Sequence, residues 1–146
     1  MTATKDKKFE FLEHTADLKF RSYGKTLEEC FSNAALALSS SLANLSNVAE
    51  KEEVTISLES DSLEMLLHDF LSEILFLFDT SWLILKKFQV NISEKDGKYE
   101  LTGKCWGEKL NQEKHEIVGE IKAITYHDMK LEKINDTWVA EVLCDI

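Results

Sequence analysis

The sequence predicts an α+β fold, a mainly antiparallel sheet with two long helices packed on it, in a single domain. Three observations predict it. Several short runs alternate apolar and polar residues and are joined by hairpin turns. Two longer stretches repeat apolar residues at helical spacing behind capping signals. The 146 residues include no proline and only five glycines, so no linker divides them. Strands joined in hairpins, with two helices between them, favour helices laid against an antiparallel sheet. A chain of this length can bury roughly 68–70% of its unfolded surface around one core.

Residues 1–8 are polar and lysine-rich and read as a flexible N-terminal tail. Phe9 to Leu12 and Leu18 to Tyr23 read as short strands around a polar corner, His14-Thr15-Ala16-Asp17. Thr26 with Glu29 forms a capping-box pattern, and Leu27, Cys30, Phe31, Ala34, Ala35, Leu38 and Leu42 follow on one helical face. Val54, Ile56 and Leu58 alternate as a strand. The second helix opens at Asp61, with Glu64 at the box position, and runs to Phe78. Its broad apolar face, from Leu63 through Phe70 and Ile74, marks it as the central core helix. Beyond Trp82 the period falls to two. Phe88, Val90 and Ile92 lead to an Asp96-Gly97 hairpin, and Tyr99 to Trp106 returns. Gly107 to Gly119 lacks periodicity and reads as a loop. Ile121 to Tyr126, Met129 to Ile134 and Thr137 to Leu143 finish the chain as strands, the last two turning at Asn135-Asp136.

Composition narrows the function classes. Seventeen Lys and Arg against twenty-seven Asp and Glu leave a net charge of −10. That balance argues against a protein whose main work is gripping phosphate backbones, which takes clustered basic residues. It leaves room for a basic partner or a cation. The longest apolar run, around Phe76-Leu77-Phe78, falls far short of the ~20 residues of a membrane span. No apolar stretch follows the N-terminal lysines, so no signal peptide is expected. Three widely spaced cysteines, Cys30, Cys105 and Cys144, favour reduced thiols in a cytosol over a disulfide framework.

Most enzyme motifs are absent: no glycine-rich phosphate loop, nucleophile elbow, Cys-x-x-Cys or His-Glu-x-x-His occurs. His68, inside the second helix, reads as a surface or boundary histidine. Three places could carry chemistry. At the first corner Asp17 either ligates a metal or accepts backbone amides in a turn. At the C-terminus, Asp145 and the terminal carboxylate of Ile146 are adjacent anions that repel unless a cation lies between them. Hard oxygens of this kind suit calcium, magnesium or manganese, although a solvated chain end is the ordinary alternative. The third place is Lys122 to His127, with His115, Glu116 and Glu120 upstream. Lys122, Ile124 and Tyr126 would share one strand face with His127 at its end, forming either an acid–base pair or a salt-bridged edge.

Together these places carry a resemblance. Phe9 to Asp17 (Phe-Glu-Phe-Leu-Glu-His-Thr-Ala-Asp), Tyr23 to Glu29, Glu120 to His127 and Trp138 to Ile146 resemble the archease family, in order from residue 9 to residue 146. The Glu-His-Thr-Ala-Asp corner, the Lys-Ala-Ile-Thr-Tyr-His strand and the Asp-Ile terminus are specific in combination. Leu75 to Trp82 matches more loosely, being less polar than is usual in the family.

The resemblance implies a non-catalytic accessory factor rather than an enzyme. Archeases assist the RtcB-type ligase, which joins tRNA halves and other RNA ends bearing a 3′-phosphate or cyclic phosphate. They promote its guanylylation, which uses GTP and a divalent metal, and return it to multiple turnover. Residue by residue, the resemblance assigns Asp17, Asp145 and the carboxylate of Ile146 to a divalent ion, with calcium the first expectation. Cys144 departs from the usual aliphatic residue without touching oxygen ligation. His14, Lys122 and His127 become candidates for orienting those ligands or touching the ligase. RNA would be met only through the ligase, in the cytoplasm and away from membranes. The competing readings are a metal-dependent hydrolase using Asp17 and His14, and a chaperone-like binder using apolar surface around Phe76 to Trp82.

Overall fold

A computed structural model of the chain describes residues 7–13 and 17–146. Most of the N-terminal tail and His14, Thr15 and Ala16 of the polar corner lie outside the described residues. Seven strands and two helices follow in the order β1 (Phe9–Leu12), β2 (Asp17–Gly24), α1 (Leu27–Leu42), β3 (Glu52–Ser60), α2 (Leu63–Ser81), β4 (Leu83–Lys95), β5 (Lys98–Lys109), β6 (Ala123–Ile134) and β7 (Thr137–Asp145). All strand pairs are antiparallel. The strands divide into two sheets, one ordered β1-β2-β7-β6 and the other β3-β5-β4.

The helices touch both sheets. α1 packs on β2 and β4, while α2 packs on β6 and β3. Phe31 of α1 and Phe70 of α2 stack at the centre, ring centroids 6.3 Å apart. The more enclosed helix is α1, not α2 as its broad apolar face suggested. No residue from Cys30 to Ala43 is exposed, whereas α2 shows Met65, Phe76, Asp79 and Thr80 to solvent. Small side chains are the reason: Ala34, Ala35, Ala37 and Ser39 are all buried and let sheet backbone approach α1 from both sides.

Local chemistry explains the element boundaries. Thr26 Oγ1 accepts from the Glu29 N–H at 3.0 Å, and Glu29 Oε1 accepts from the Lys25 N–H at 2.6 Å, so the box closes one residue further back than expected. At α2 the cap is Ser62, not Asp61. Ser62 is the extended residue whose hydroxyl accepts from the Met65 N–H at 3.1 Å, so Glu64 is not at the box position. The helix also continues past Phe78 to Ser81 and stops where Trp82 turns left-handed at φ 56°.

Two further expectations change. Gly107 to Lys109 belong to β5 and pair with Leu83 to Leu85, because Gly107 has no side chain: a Cβ there would meet Ile84 O at 1.8 Å. The two strands expected between Ile121 and Ile134 are one strand, β6. Its pairing with β7 shifts between Thr125 and Lys130, and Asp128 takes φ 59° inside that irregularity. The Asp96-Gly97 and Asn135-Asp136 turns form as expected, with positive φ at all four residues. Cys30, Cys105 and Cys144 are buried free thiols, and burial pushes them up to about 11, 12 and 12 respectively. No helix among the described residues is long and apolar enough to cross a membrane.

Candidate metal centre

β2 pairs antiparallel with β7 along its whole length, Asp17 to Gly24 against Asp145 to Trp138, and this register sets Asp17 opposite Asp145. Along β2, Phe20 and Ser22 are buried and face the helices, so Asp17, Lys19 and Arg21 project from the other face. Along β7, Ala140, Val142 and Cys144 are buried, which puts Glu141 and Asp145 on that same outer face. Directly opposed residues carry their Cβ atoms about 4.5–5.5 Å apart. The two aspartates are therefore neighbours at one end of the β2–β7 ladder. Ile146 follows Asp145 directly and lies half-exposed at the same end.

On the other side of β7, Ala123 stands opposite Asp145. Lys122 precedes it, and its backbone N–H donates to Asp145 O at 2.7 Å. That bond fixes the main chain carrying the second aspartate, while the Lys122 side chain remains exposed. The expected common face of Lys122, Ile124 and Tyr126 does not form, because Lys122 lies before β6 and Ile124 is buried beneath α2. His127 is not gathered to the aspartates either. It sits in the β6 irregularity with its side chain 80% exposed and 3.5 Å from Asp128, four residues beyond Ala123 or about 13 Å along the strand. His14 is outside the described residues. The half-buried His68 joins α2 to β6 through Nε2 and Ile124 O at 3.0 Å, and its Nδ1 lies 3.0 Å from Asp69 Oδ1. Both partners are acceptors, a carbonyl oxygen and a carboxylate oxygen.

The outer face beside the aspartates is a ladder of compensated charge. Arg21 donates through Nε and Nη2 to Glu141 Oε2, and Lys19 Nζ lies 3.6 Å from Glu141 Oε1. Burial pushes the Glu141 carboxyl up, but its bonds and attraction to Arg21 hold it below the ordinary carboxylate value. Tyr23 donates its hydroxyl to Glu10, and this bond is the largest influence holding Glu10 low. The ladder ends where two carboxylates oppose each other.

The donor set suits a hard cation. The two side-chain carboxylates offer anionic oxygens, the ligand class of calcium, magnesium and manganese. Among the described residues, no three His, Cys, Asp or Glu side chains converge on one point.

The sequence reading also missed an ionic centre. Glu108 is buried, and its carboxylate accepts from Lys114 Nζ at 2.7 Å, the Ala49 N–H at 2.8 Å and His115 Nε2 at 2.8 Å. His115 Nδ1 accepts from the Asn111 N–H at 2.9 Å, which leaves the proton on Nε2 for Glu108. His115 therefore faces Glu108, not Glu116 or Glu120. The only available signal was Glu108 at the end of an alternating run, seven residues before the histidine.

The model of the Archease protein family (MTH1598/TM1083) matches residues 9–146. The chain belongs to that family. It is 48% identical over 141 residues to protein archease of Pyrococcus furiosus, covering 96% of this chain and 99% of that one. It is 45% identical over 141 residues to protein archease of Methanosarcina mazei, covering 96% and 97%. The solution structure of protein 1598 of Methanobacterium thermoautotrophicum superposes with a TM-score of 0.86 at 39% identity, covering 95% of this chain and 99% of that one. The crystal structure of an archease, possible chaperone, from Thermotoga maritima superposes at 0.58 and 21% identity over 92% and 94%, a likeness of fold. The resemblance drawn from the motifs is thus a family relationship. The matched region reaches from the first strand to the last residue and contains both aspartates and the chain end.

Proposed function

We propose that this archease is a metal-binding accessory factor that activates an RtcB-type RNA-splicing ligase, promoting its guanylylation and multiple turnover in tRNA splicing and RNA repair in the cytoplasm. The observation that carries the metal part is the Asp17–Asp145 pair in direct register beside the terminal carboxylate of Ile146. A divalent ion there neutralises the repulsion of three carboxylates and orders the chain end. Asp17 and Asp145 hold it through side chains and Ile146 through the main-chain carboxylate. Lys122 acts as a positioning residue through its N–H to Asp145 O.

The partner follows from charge and family. A chain of net charge −10 meets phosphate backbones poorly alone, whereas it is drawn to a basic protein surface and carries a cation into the contact. RNA is therefore reached through the ligase. The test is a guanylylation assay with purified ligase, GTP and a divalent ion, with and without substoichiometric amounts of this protein. A faster appearance of the ligase guanylate, with no GTP turnover by this protein alone, is expected. Turnover of GTP or cleavage of RNA by the pure protein would overturn the accessory reading and favour a hydrolase.

One specific observation supports a second reading. Phe76 and Trp82 are 56% and 55% exposed at the end of α2, so this helix presents apolar surface to a binding partner. Suppressed aggregation of an unrelated unfolding protein, unaffected by chelator, would mark a chaperone-like role.

A further inference from the structure

Between β5 and β6 the chain runs from Leu110 to Lys122 as a strap that belongs to neither sheet. Of its side chains only those of His115 and Ile121 are buried, while Ile117 and Val118 at its middle are 45% and 58% exposed. Apolar packing therefore holds it weakly, and a few directed bonds set its place. The Asn44 N–H donates to Glu116 O and the Val118 N–H to Leu42 O, both at 2.9 Å, so the strap lies along the C-terminal end of α1. A Cβ on Gly119 would stand 3.0 Å from Ser41 O, a measure of how closely it lies. At its far end the Lys122 N–H holds Asp145 O.

One side chain anchors the strap from inside. The imidazole of His115 is fully enclosed, donating through Nε2 to Glu108 and accepting the Asn111 N–H on Nδ1. Glu108 also accepts from Lys114 and from the Ala49 N–H, and Lys51 Nζ lies 3.6 Å from its other oxygen. The end of β5, the segment after α1 and the strap thus meet on one carboxylate. Without His115, the closed strap would leave the Asn111 N–H without an acceptor and Glu108 short of a donor. Opening the strap lets water satisfy both, so the loss falls on the closed form alone.

We propose that residues 110–122 open and close as one unit, with His115 a positioning residue for the main chain of Asp145, and that a cation held at Asp145 keeps the strap closed from its other end. The last clause rests on the metal site proposed above, and the first two do not. A cation that binds only the closed strap lowers the open population in proportion to its occupancy, so the metal corner and the Glu108–His115 cluster act on the same equilibrium.

The test is amide hydrogen exchange, followed by NMR on the full-length protein, at the N–H groups of Asn44, Val118 and Lys122. In the wild type the three should show similar protection, scarcely changed by low urea, because a local opening exposes little surface. His115→Ala should lower all three together by about tenfold or more, beyond any fall at Leu71 in α2. His115→Gln, whose amide still donates toward Glu108, should lower them less, and Ser62→Ala at the start of α2 should leave them unchanged. Saturating calcium should raise all three by one common factor. Unequal protection in the wild type would overturn the proposal without any variant. So would wild-type protection in His115→Ala, or a fall at Asn44 and Val118 that spares Lys122. Calcium that binds by calorimetry yet protects Lys122 alone would also overturn it. If calcium does not bind, the metal reading fails together with the clause that rests on it, and the His115 variants still decide the strap.

Discussion

Asp17 faces Asp145 across β2 and β7, residue opposite residue, at the end of the strand pair that joins the beginning of the chain to its last residue. At the proposed metal site, Asp17→Asn and Asp145→Asn would each remove one anionic oxygen at nearly constant shape. Both should weaken divalent-ion affinity roughly tenfold or more. Ile146→Val keeps the terminal carboxylate and should keep the affinity. Residues appended after Ile146 turn that carboxylate into an amide carbonyl and should lower it. Calorimetric titration with calcium or manganese compares the four variants. Wild-type affinity in the extended chain would remove Ile146 from the site, and wild-type affinity in all three damaging variants would remove the site.

Glu108 gives the fold an acid limit. Its carboxyl is held at about 2 by hydrogen bonds from Lys114, the Ala49 N–H and His115. A carboxyl lowered on folding contributes its stability above its unfolded value, near 4.3 for glutamate, and loses it as pH falls toward the folded value. The urea midpoint of the wild type should therefore drop between about pH 5 and pH 2, and the midpoint of Glu108→Gln should drop less. Equal pH slopes in the two proteins would show that this cluster does not set the limit.

The helix pair should be sensitive in two opposite ways. Phe70→Ala or Ile74→Ala opens a cavity where both side chains are buried and should cost roughly 2–5 kcal/mol. Ala35→Leu adds volume to a helix enclosed between two sheets and should cost roughly 1–3 kcal/mol. Chemical denaturation measures both. A loss well under about 1 kcal/mol at Phe70 would place the core elsewhere.

Ser62 and Asp61 can be told apart at the start of α2. Ser62→Ala leaves the Met65 N–H without its acceptor and should cost about 1 kcal/mol. Asp61→Ala removes an exposed side chain outside the cap and should change stability by less than about 0.5 kcal/mol. The same denaturation experiment reports both, and a larger loss at Asp61 would move the cap back one residue.

Short-range signals were legible in the residues. The Thr26 cap, the period of α1, and the Asp96-Gly97 and Asn135-Asp136 turns depend on neighbours a few positions apart, and each formed where the pattern put it, while α2 formed with shifted ends. The errors arose where a local rule left alternatives. Asp61 and Ser62 are both good capping residues, and only backbone geometry decides between them. The break at His127-Asp128 resembles a turn in sequence, yet β7 passes alongside both halves and makes them one strand.

By itself the sequence determined the fold class, the two helices, the hairpins, the acidic charge and, through its motifs, the residues singled out at the chain end. Only the tertiary structure decided that the strands form two sheets, that α1 is the enclosed helix, that Glu108 and His115 meet, and that Asp145 has Asp17 opposite and Lys122 beside it while His127 stands apart. The physical reason is range. Caps, turns and periodicity arise from contacts along the chain, whereas sheet register arises from hydrogen bonds between segments whose separation the local sequence does not encode.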